Sequence, residues 1–361
     1  YVAWDRGQTA EALASFRDYQ RLANEMIARE PTNEKWRLEK IYADTQTGIV
    51  LNAQQQFGQA ERVFTDALLA ADKLVAAHPA DTDLQDQQTE GLAYLADAKR
   101  GGGKLDEALA LRQRQLSLLE RYQASRPKDL VLTRRRMGAL DALAGLQLMQ
   151  GNVAEARIRS DAAISLAQQL LASEPNNTEW ASRAATIYFT ASRVRLGSGE
   201  AELADSLARS GCDLVNRLMV KDQTVVSWSE RLKRECLLRR AAAELARGRP
   251  AEAQQLADDA GFNALAAQLD LPDRRSDFAE AHLLAGAALA RLNKPSEALR
   301  KWQAGLRQWP GSPIEAPDDL AVQARLLRFA GDFASSGTIA RRLSSMGYRD
   351  PSYLQMMSTA K

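Results

Sequence analysis

The chain has 361 residues, of which 45% are hydrophobic and 26% are charged, a composition typical of folded proteins. Its 48 basic and 46 acidic side chains leave a net charge of +2, which argues against a nucleic-acid partner or binding to an anionic membrane. Two Cys and two His exclude a zinc cluster and a scaffold held by several disulfides, and no apolar run approaches the ~18 residues that span a bilayer.

The main feature of the sequence is a repeat of about 48 residues. One series of small residues recurs with this spacing and then with shorter gaps: Ala12, Ala60, Ala108, Ala156, Ala204, Ala253, Ala298 and Ser336. A proline series has the same spacing: Pro31, Pro79, Pro127 and Pro175. A second small series lies twelve residues before members of the first: Gly48, Ala96, Ala144, Ser192, Ala241, Gly286 and Ala324. Three series in one register indicate a repeat architecture.

Each repeat predicts two helices. In the second repeat, residues 34–54 carry apolar side chains on one face of a helical period, and a break at Gly58 follows. A second amphipathic helix covers about 59–77, and Pro79 ends the unit because proline cannot continue a helix. Neither helix could bury its apolar face alone, so neighbouring repeats are expected to stack.

The repeats indicate one continuous all-α solenoid over residues 1–361. Regular 48-residue units extend over 1–248. Residues 249–361 carry shorter and less regular units, and a short closing helix is predicted near Ser352–Thr359. The chain begins with Tyr1 rather than Met, so we expect it to be a fragment whose signal peptide, anchor or further domain would lie upstream.

The spacing of small and large residues resembles the tetratricopeptide repeat (TPR). The pattern small-x11-small-x3-large-x2-small is present twice: as Gly48, Ala60, Phe64 and Ala67, and as Gly286, Ala298, Trp302 and Gly305. The large position departs from the pattern in the third to fifth repeats, where Arg112, Ser160 and Ala208 occupy it. The resemblance implies a right-handed TPR-like α-solenoid of antiparallel helix pairs.

The long repeat form also resembles the repeat regions of bacterial signalling proteins that carry winged-helix, kinase or TIR modules. This resemblance implies a non-enzymatic scaffold or sensory arm that binds a protein or peptide in its concave groove. The alternative is a regulatory or self-assembly arm of a kinase or TIR-type enzyme whose catalytic domain lies outside the chain, so homo-oligomers stay open. The location would be cytoplasmic or periplasmic, depending on an upstream anchor.

The family's groove positions transfer to the first helix of each repeat. They are Tyr42, Thr45, Ile49, Asn52, Glu90, Asp97, Arg100, Asp141, Phe189, Arg193, Glu235 and Leu238. Tyr42, Phe189 and Arg193 are predicted as the anchors because aromatic and arginine side chains dominate interface energetics. A core position for Phe189 is the alternative.

The sequence predicts no catalytic, cofactor or metal site. His78 and His282 are about 200 residues apart, and Gly101-Gly102-Gly103-Lys104 lacks the spacing of a phosphate-binding loop. Cys212 and Cys236 lie twelve residues on either side of position 224, at similar heights in an antiparallel helix pair. Because packed helices are usually 8–10 Å apart, two buried free thiols are predicted, with a disulfide as the alternative.

Overall fold

A computed structural model describes residues 9–266, 272–307 and 316–359, and these residues form helices and no strand. The predicted all-α class is therefore confirmed for this part of the chain. The helices in chain order are α1 Thr9–Arg29, α2 Glu34–Ala53, α3 Phe57–Ala77, α4 Thr82–Gly101, α5 Leu105–Ser125, α6 Leu130–Met149, α7 Val153–Ser173, α8 Thr178–Gly197, α9 Ala201–Lys221, α10 Lys233–Ala246, α11 Pro250–Ala266, α12 Pro272–Arg291, α13 Pro295–Leu306, α14 Pro317–Phe329, α15 Phe333–Ser345 and α16 Pro351–Thr359. A π-helical turn, Ser227–Leu232, leads into α10.

The contacts divide the chain into two compact units, one ending at Leu119 and the other beginning at Glu120. We call them the N-terminal and C-terminal units and describe each by itself. Within each unit consecutive helices pack against each other, as the pairs α2–α3, α8–α9 and α11–α12 show. One continuous solenoid over the whole chain stays a prediction.

We call the first helix of each repeat the inner helix and the second the outer helix. The inner helices α2, α4, α6 and α8 begin at side-chain caps that repeat with the sequence. Asn33, Asp81, Asp129 and Asn177 are again 48 residues apart, and each accepts a hydrogen bond from a backbone N–H in the first turn of α2, α4, α6 or α8. In the sixth repeat, which begins before α10, the cap is replaced by the π-helical turn, in which Val226 makes no side-chain cap. The regular period therefore reflects equivalent helix starts, and the sixth repeat begins differently.

The two predicted series of small residues lie where paired helices cross. Ala96, Ala144, Ala156 and Ala204 are almost completely buried. A Cβ atom added to Gly48 would overlap the ring of Phe64. The same relation holds between Gly286 and Trp302, so the small and large positions of these two repeats pack against each other.

The prediction of free thiols is wrong. Cys212 on α9 and Cys236 on α10 form a disulfide with their Cα atoms 5.3 Å apart. The spacing of 8–10 Å applies to helix axes, whereas each Cα lies about 2.3 Å from its axis. Facing Cα atoms of two closely packed helices can therefore approach to about 5 Å, which is within disulfide range.

The prediction of Phe189 as a groove residue is also wrong. Its side chain is 0% exposed. The ring lies against Gly211 of α9, where an added Cβ would overlap it. A glycine on the partner helix makes room for the ring inside the helix pair, so Phe189 belongs to the core of the α8–α9 pair.

Candidate functional site

The C-terminal unit contains a cavity of about 240 Å³ on its inner face. Five inner helices contribute one face each, and the chain after α15 closes the cavity. The lining from the helices comprises Leu148 of α6, Arg193 and Leu196 of α8, Glu235, Leu238, Arg239 and Ala242 of α10, Ser276, Asp277, Glu280 and Leu284 of α12, and Asp318, Val322 and Arg325 of α14. Because these positions recur three or four residues apart on each helix, the cavity follows from the helical period.

Glu280 of α12 lies among the guanidinium groups of the cavity. Arg239 of α10 donates two hydrogen bonds to its carboxylate, at 2.7 and 2.8 Å. Burial opposes ionisation, but Arg239, Arg193 and Arg325 together hold the pKa of Glu280 below its ordinary value. The carboxylate therefore stays charged, and its hydrogen bonds join α12 to α10.

Asp277, about one helical turn before Glu280, has a raised pKa, whereas the pKa of Glu280 is lowered. Burial raises the pKa of Asp277 to about 7, although Arg234 donates a hydrogen bond to it at 3.0 Å and favours the charged form. Glu235 and Glu280 add negative potential and raise the pKa further. The same cavity thus holds one firmly ionised carboxylate and one that titrates near neutral pH.

Arg193 lies between two acidic side chains from distant parts of the sequence. Its guanidinium is 3.7 Å from the carboxylate of Asp318 on α14 and 3.9 Å from that of Asp350, which precedes α16. Burial opposes the positive charge, but the two carboxylates hold the pKa of Arg193 above its ordinary value. Arg193 therefore joins α8 to the far end of the same unit.

Residues 347–359, which we call the covering segment, close the cavity. Tyr348, Asp350 and Tyr353 are 5%, 5% and 4% exposed. The backbone N–H of Arg349 donates a hydrogen bond of 2.6 Å to the carbonyl of Met149 at the end of α6. The segment therefore packs on residues that precede it by about 200 positions.

Arg193, Glu235 and Leu238, three of the predicted groove residues, line this cavity together. Asp141, also predicted, lines a separate depression of about 530 Å³ on the same unit, beside Trp228 and Arg231. The depression is open along α6, α8 and the π-helical turn. Four of the predicted groove residues thus line concave surfaces of this unit, and their role in binding a partner stays a prediction.

In the N-terminal unit, the predicted positions on α2 pack against neighbouring helices. The ring of Tyr42 makes an edge contact with Tyr19 of α1, with centroids 6.1 Å apart. Thr45 is buried, and Ile49 packs against the apolar core. Asn52 is half-buried. Their role in a groove stays a prediction.

The predicted positions on α4 include one structural ion pair. Asp97 accepts a hydrogen bond of 2.6 Å from the buried Arg112, which occupies the large position of the third repeat. Arg112 also donates to Gln115 at 2.8 Å. The departure at Arg112 thus has a packing role that engages Asp97. Glu90 and Arg100 are half-buried on the same helix.

Sequence reasoning missed most of the charged lining, including Arg239, Glu280, Asp318, Arg325 and Asp350. Arg239 directly follows the predicted Leu238, and it could have been found by extending the period by one residue. The others lie where the repeat shortens, so the 48-residue register no longer identifies inner positions.

The described residues contain no group of three or more His, Cys, Asp or Glu side chains placed to hold a metal ion. No helix among them has the length and apolar character that crossing a membrane requires. The chemistry that the cavity does offer is ionic and hydrogen-bonding recognition by paired guanidinium and carboxylate groups.

No protein-family model matches the sequence, and no curated protein matches it significantly. Solved structures do match. A Rap protein complexed with competence and sporulation factor aligns over 96% of this chain and 86% of its own, with a TM-score of 0.56 and 15% identity. A STAND signal-transduction ATPase with a tetratricopeptide repeat sensor, from Pyrococcus horikoshii, aligns over 90% of this chain and 45% of its own, with a TM-score of 0.51 and 13% identity.

BtubC from P. vanneervenii aligns over 72% of this chain and 91% of its own, with a TM-score of 0.53 and 16% identity. The chain has the fold of a TPR-like α-solenoid. The predicted resemblance is therefore confirmed at the level of the fold. Sequence identities this low support a similarity of fold only.

Proposed function

We propose that this TPR-like chain is a non-enzymatic scaffold or sensory arm of a bacterial signalling protein. Its ligand would be a protein or peptide that binds the inner face of the C-terminal unit. The observation that carries the proposal is the cavity into which four inner helices, α8, α10, α12 and α14, direct charged side chains beside the covering segment. Peptide recognition by helical repeats uses such convergent side chains from successive units.

The fold neighbours support the same class of function. One is a Rap protein complexed with competence and sporulation factor, and another carries a tetratricopeptide repeat sensor in a signal-transduction ATPase. In this proposal Arg193 and Arg325 pair with acidic groups of the ligand. Glu235 repels any acidic group of the ligand that lies next to it, and so contributes to specificity.

A peptide-display selection on the full chain tests this proposal. Selected peptides are expected to lose roughly tenfold or more in affinity for Arg193→Ala, because a half-buried guanidinium at the centre of an interface acts as an anchor. Arg157→Ala is the matched control, since Arg157 lies on the outer helix α7 and pairs with Glu200 at 2.6 Å. Peptides that bind wild type and Arg193→Ala equally would place the binding surface elsewhere.

A further inference from the structure

The covering segment makes contacts of the kind that a bound peptide would make. Asp350 caps α16, since its carboxylate accepts hydrogen bonds from the backbone N–H groups of Ser352 at 2.9 Å and Tyr353 at 3.2 Å. The second oxygen of the same carboxylate faces Arg193 at 3.9 Å. One acidic side chain thus starts a short helix and pairs with the inner face.

The aromatic side chains of the segment bury the apolar part of this contact. The rings of Tyr348 and Tyr353 meet edge to face, with centroids 5.6 Å apart. The Tyr348 hydroxyl donates to Asp318 at 3.4 Å, and the sulfur of Met356 lies 3.6 Å from the Arg325 guanidinium. The segment therefore touches α14 through a tyrosine hydroxyl and a thioether group.

The inner face accommodates the backbone of the segment closely. Gly151, with φ +80°, lies in the turn after α6, where a Cβ atom would come within 3.0 Å of the carbonyl oxygen of Arg349. A Cβ on Gly197 at the end of α8 would make an ordinary contact of 3.7 Å with Pro351 and would meet Leu148 of α6 at 2.9 Å. Gly151 therefore leaves room for the backbone of the segment, and Pro351 packs against the end of α8.

The segment is held by contacts that an external peptide could replace. The α16 helix has nine residues, a length that is only marginally stable without partners. Its Leu354 faces solvent and is 49% exposed. Burial raises the pKa of Asp350, although Arg193 opposes this, so the carboxylate is held in the cavity at a cost in solvation.

We infer that the covering segment is a built-in competitor for the inner face, and that the external ligand is a peptide of the same chemistry. That ligand carries an acidic residue that starts a helix and an aromatic residue three positions later, as Asp350 and Tyr353 do. This inference rests on the proposed function and adds the partner's chemistry and its regulation. Binding requires displacement of the segment, so the apparent affinity is reduced by the fraction of chains in which the face is open.

The test uses a fluorescently labelled synthetic peptide of residues 347–359 and the full chain. Asp350→Ala with Tyr353→Ala in the chain removes the cap and the buried ring and opens the face. The labelled peptide is expected to bind this double variant at least about tenfold more tightly than wild type, measured by fluorescence anisotropy. Leu354→Ala is the control on the exposed side of α16, and it is expected to bind the peptide as wild type does.

A peptide with its own aspartate and second tyrosine replaced by alanine is expected to lose binding to the double variant. Equal affinity of the native peptide for wild type and the double variant would overturn the inference, as would failure to bind either chain. If the double variant unfolds, Tyr353→Ala alone is used, and the same gain in affinity is required of it. A melting temperature lowered by Tyr353→Ala without any gain in peptide affinity would identify the segment as part of the core and overturn the inference.

Failure of the inference and failure of the proposed function give different results. If display-selected peptides depend on Arg193 but the 347–359 peptide binds neither chain, the proposed function stands and the built-in competitor is rejected. If selected peptides ignore Arg193, the proposed function is rejected whatever the labelled peptide does.

Discussion

The α2–α3 crossing in the N-terminal unit and the α8–α9 crossing in the C-terminal unit both pack an aromatic ring against a glycine, but in opposite arrangements. In the first, Gly48 lies on the inner helix and the ring of Phe64 comes from the outer helix. In the second, the ring of Phe189 comes from the inner helix and Gly211 lies on the outer helix. At both crossings a ring faces a glycine, and either helix can supply either one.

This comparison explains why Phe189 was mistaken for a groove residue. The position it occupies in the repeat faces the groove in other units, as Leu238 and Asp141 show by lining the cavity and the depression. At Phe189 the facing Gly211 offers space inside the pair, and burying a large ring there is more favourable than exposing it. A residue's position in the repeat is therefore insufficient without the identity of the residue it faces.

The largest expected effect comes from removing the aromatic ring at each of the two crossings. Phe64→Ala and Phe189→Ala should each lower the free energy of unfolding of their own unit by about 3–5 kcal/mol, because each leaves a cavity beside a glycine that cannot fill it. Chemical denaturation followed by circular dichroism measures both losses. Phe333→Ala is the control, since that ring is 58% exposed, and it should cost far less. A small loss of stability in Phe189→Ala would indicate that Phe189 lies in the groove and not in the core.

The next effect concerns a feature of the second crossing alone. Cys212→Ser should destabilise the C-terminal unit by about 3 kcal/mol, because the disulfide closes a loop between residues 24 positions apart. A reducing agent should destabilise wild type by a similar amount and leave Cys212→Ser unchanged in denaturation curves. Two titratable thiols in protein purified without reductant would contradict the bond.

The smallest effect tests the positions that both units share. Ala96→Leu in the N-terminal unit and Ala144→Leu in the C-terminal unit should each cost about 1–3 kcal/mol, since both alanines are buried where helices cross and a larger side chain overpacks them. Thermal unfolding of the two variants measures this cost. If neither variant loses stability, the register of small residues does not mark the crossings.

The register also shows how far the candidate site was accessible from sequence. Arg193, Glu235 and Leu238 were found because a 48-residue spacing carries an inner-face position from one repeat to the next. Glu280, Arg325 and Asp350 were not found because the gaps between repeats shorten after Ala253. The spacing of a repeat predicts equivalent positions only in the part of the chain where the repeat is regular.

The sequence by itself determined the local structure of this protein: two helices per repeat, small residues at their crossings and a proline at the end of each regular unit. Those features depend on residues within one repeat or in adjacent repeats, and their spacing can be read directly from the sequence. Only the tertiary structure decided that Arg349 meets Met149 and that Arg193 meets Asp350. Such contacts depend on how all the intervening repeats of the C-terminal unit pack, and no local pattern records that arrangement.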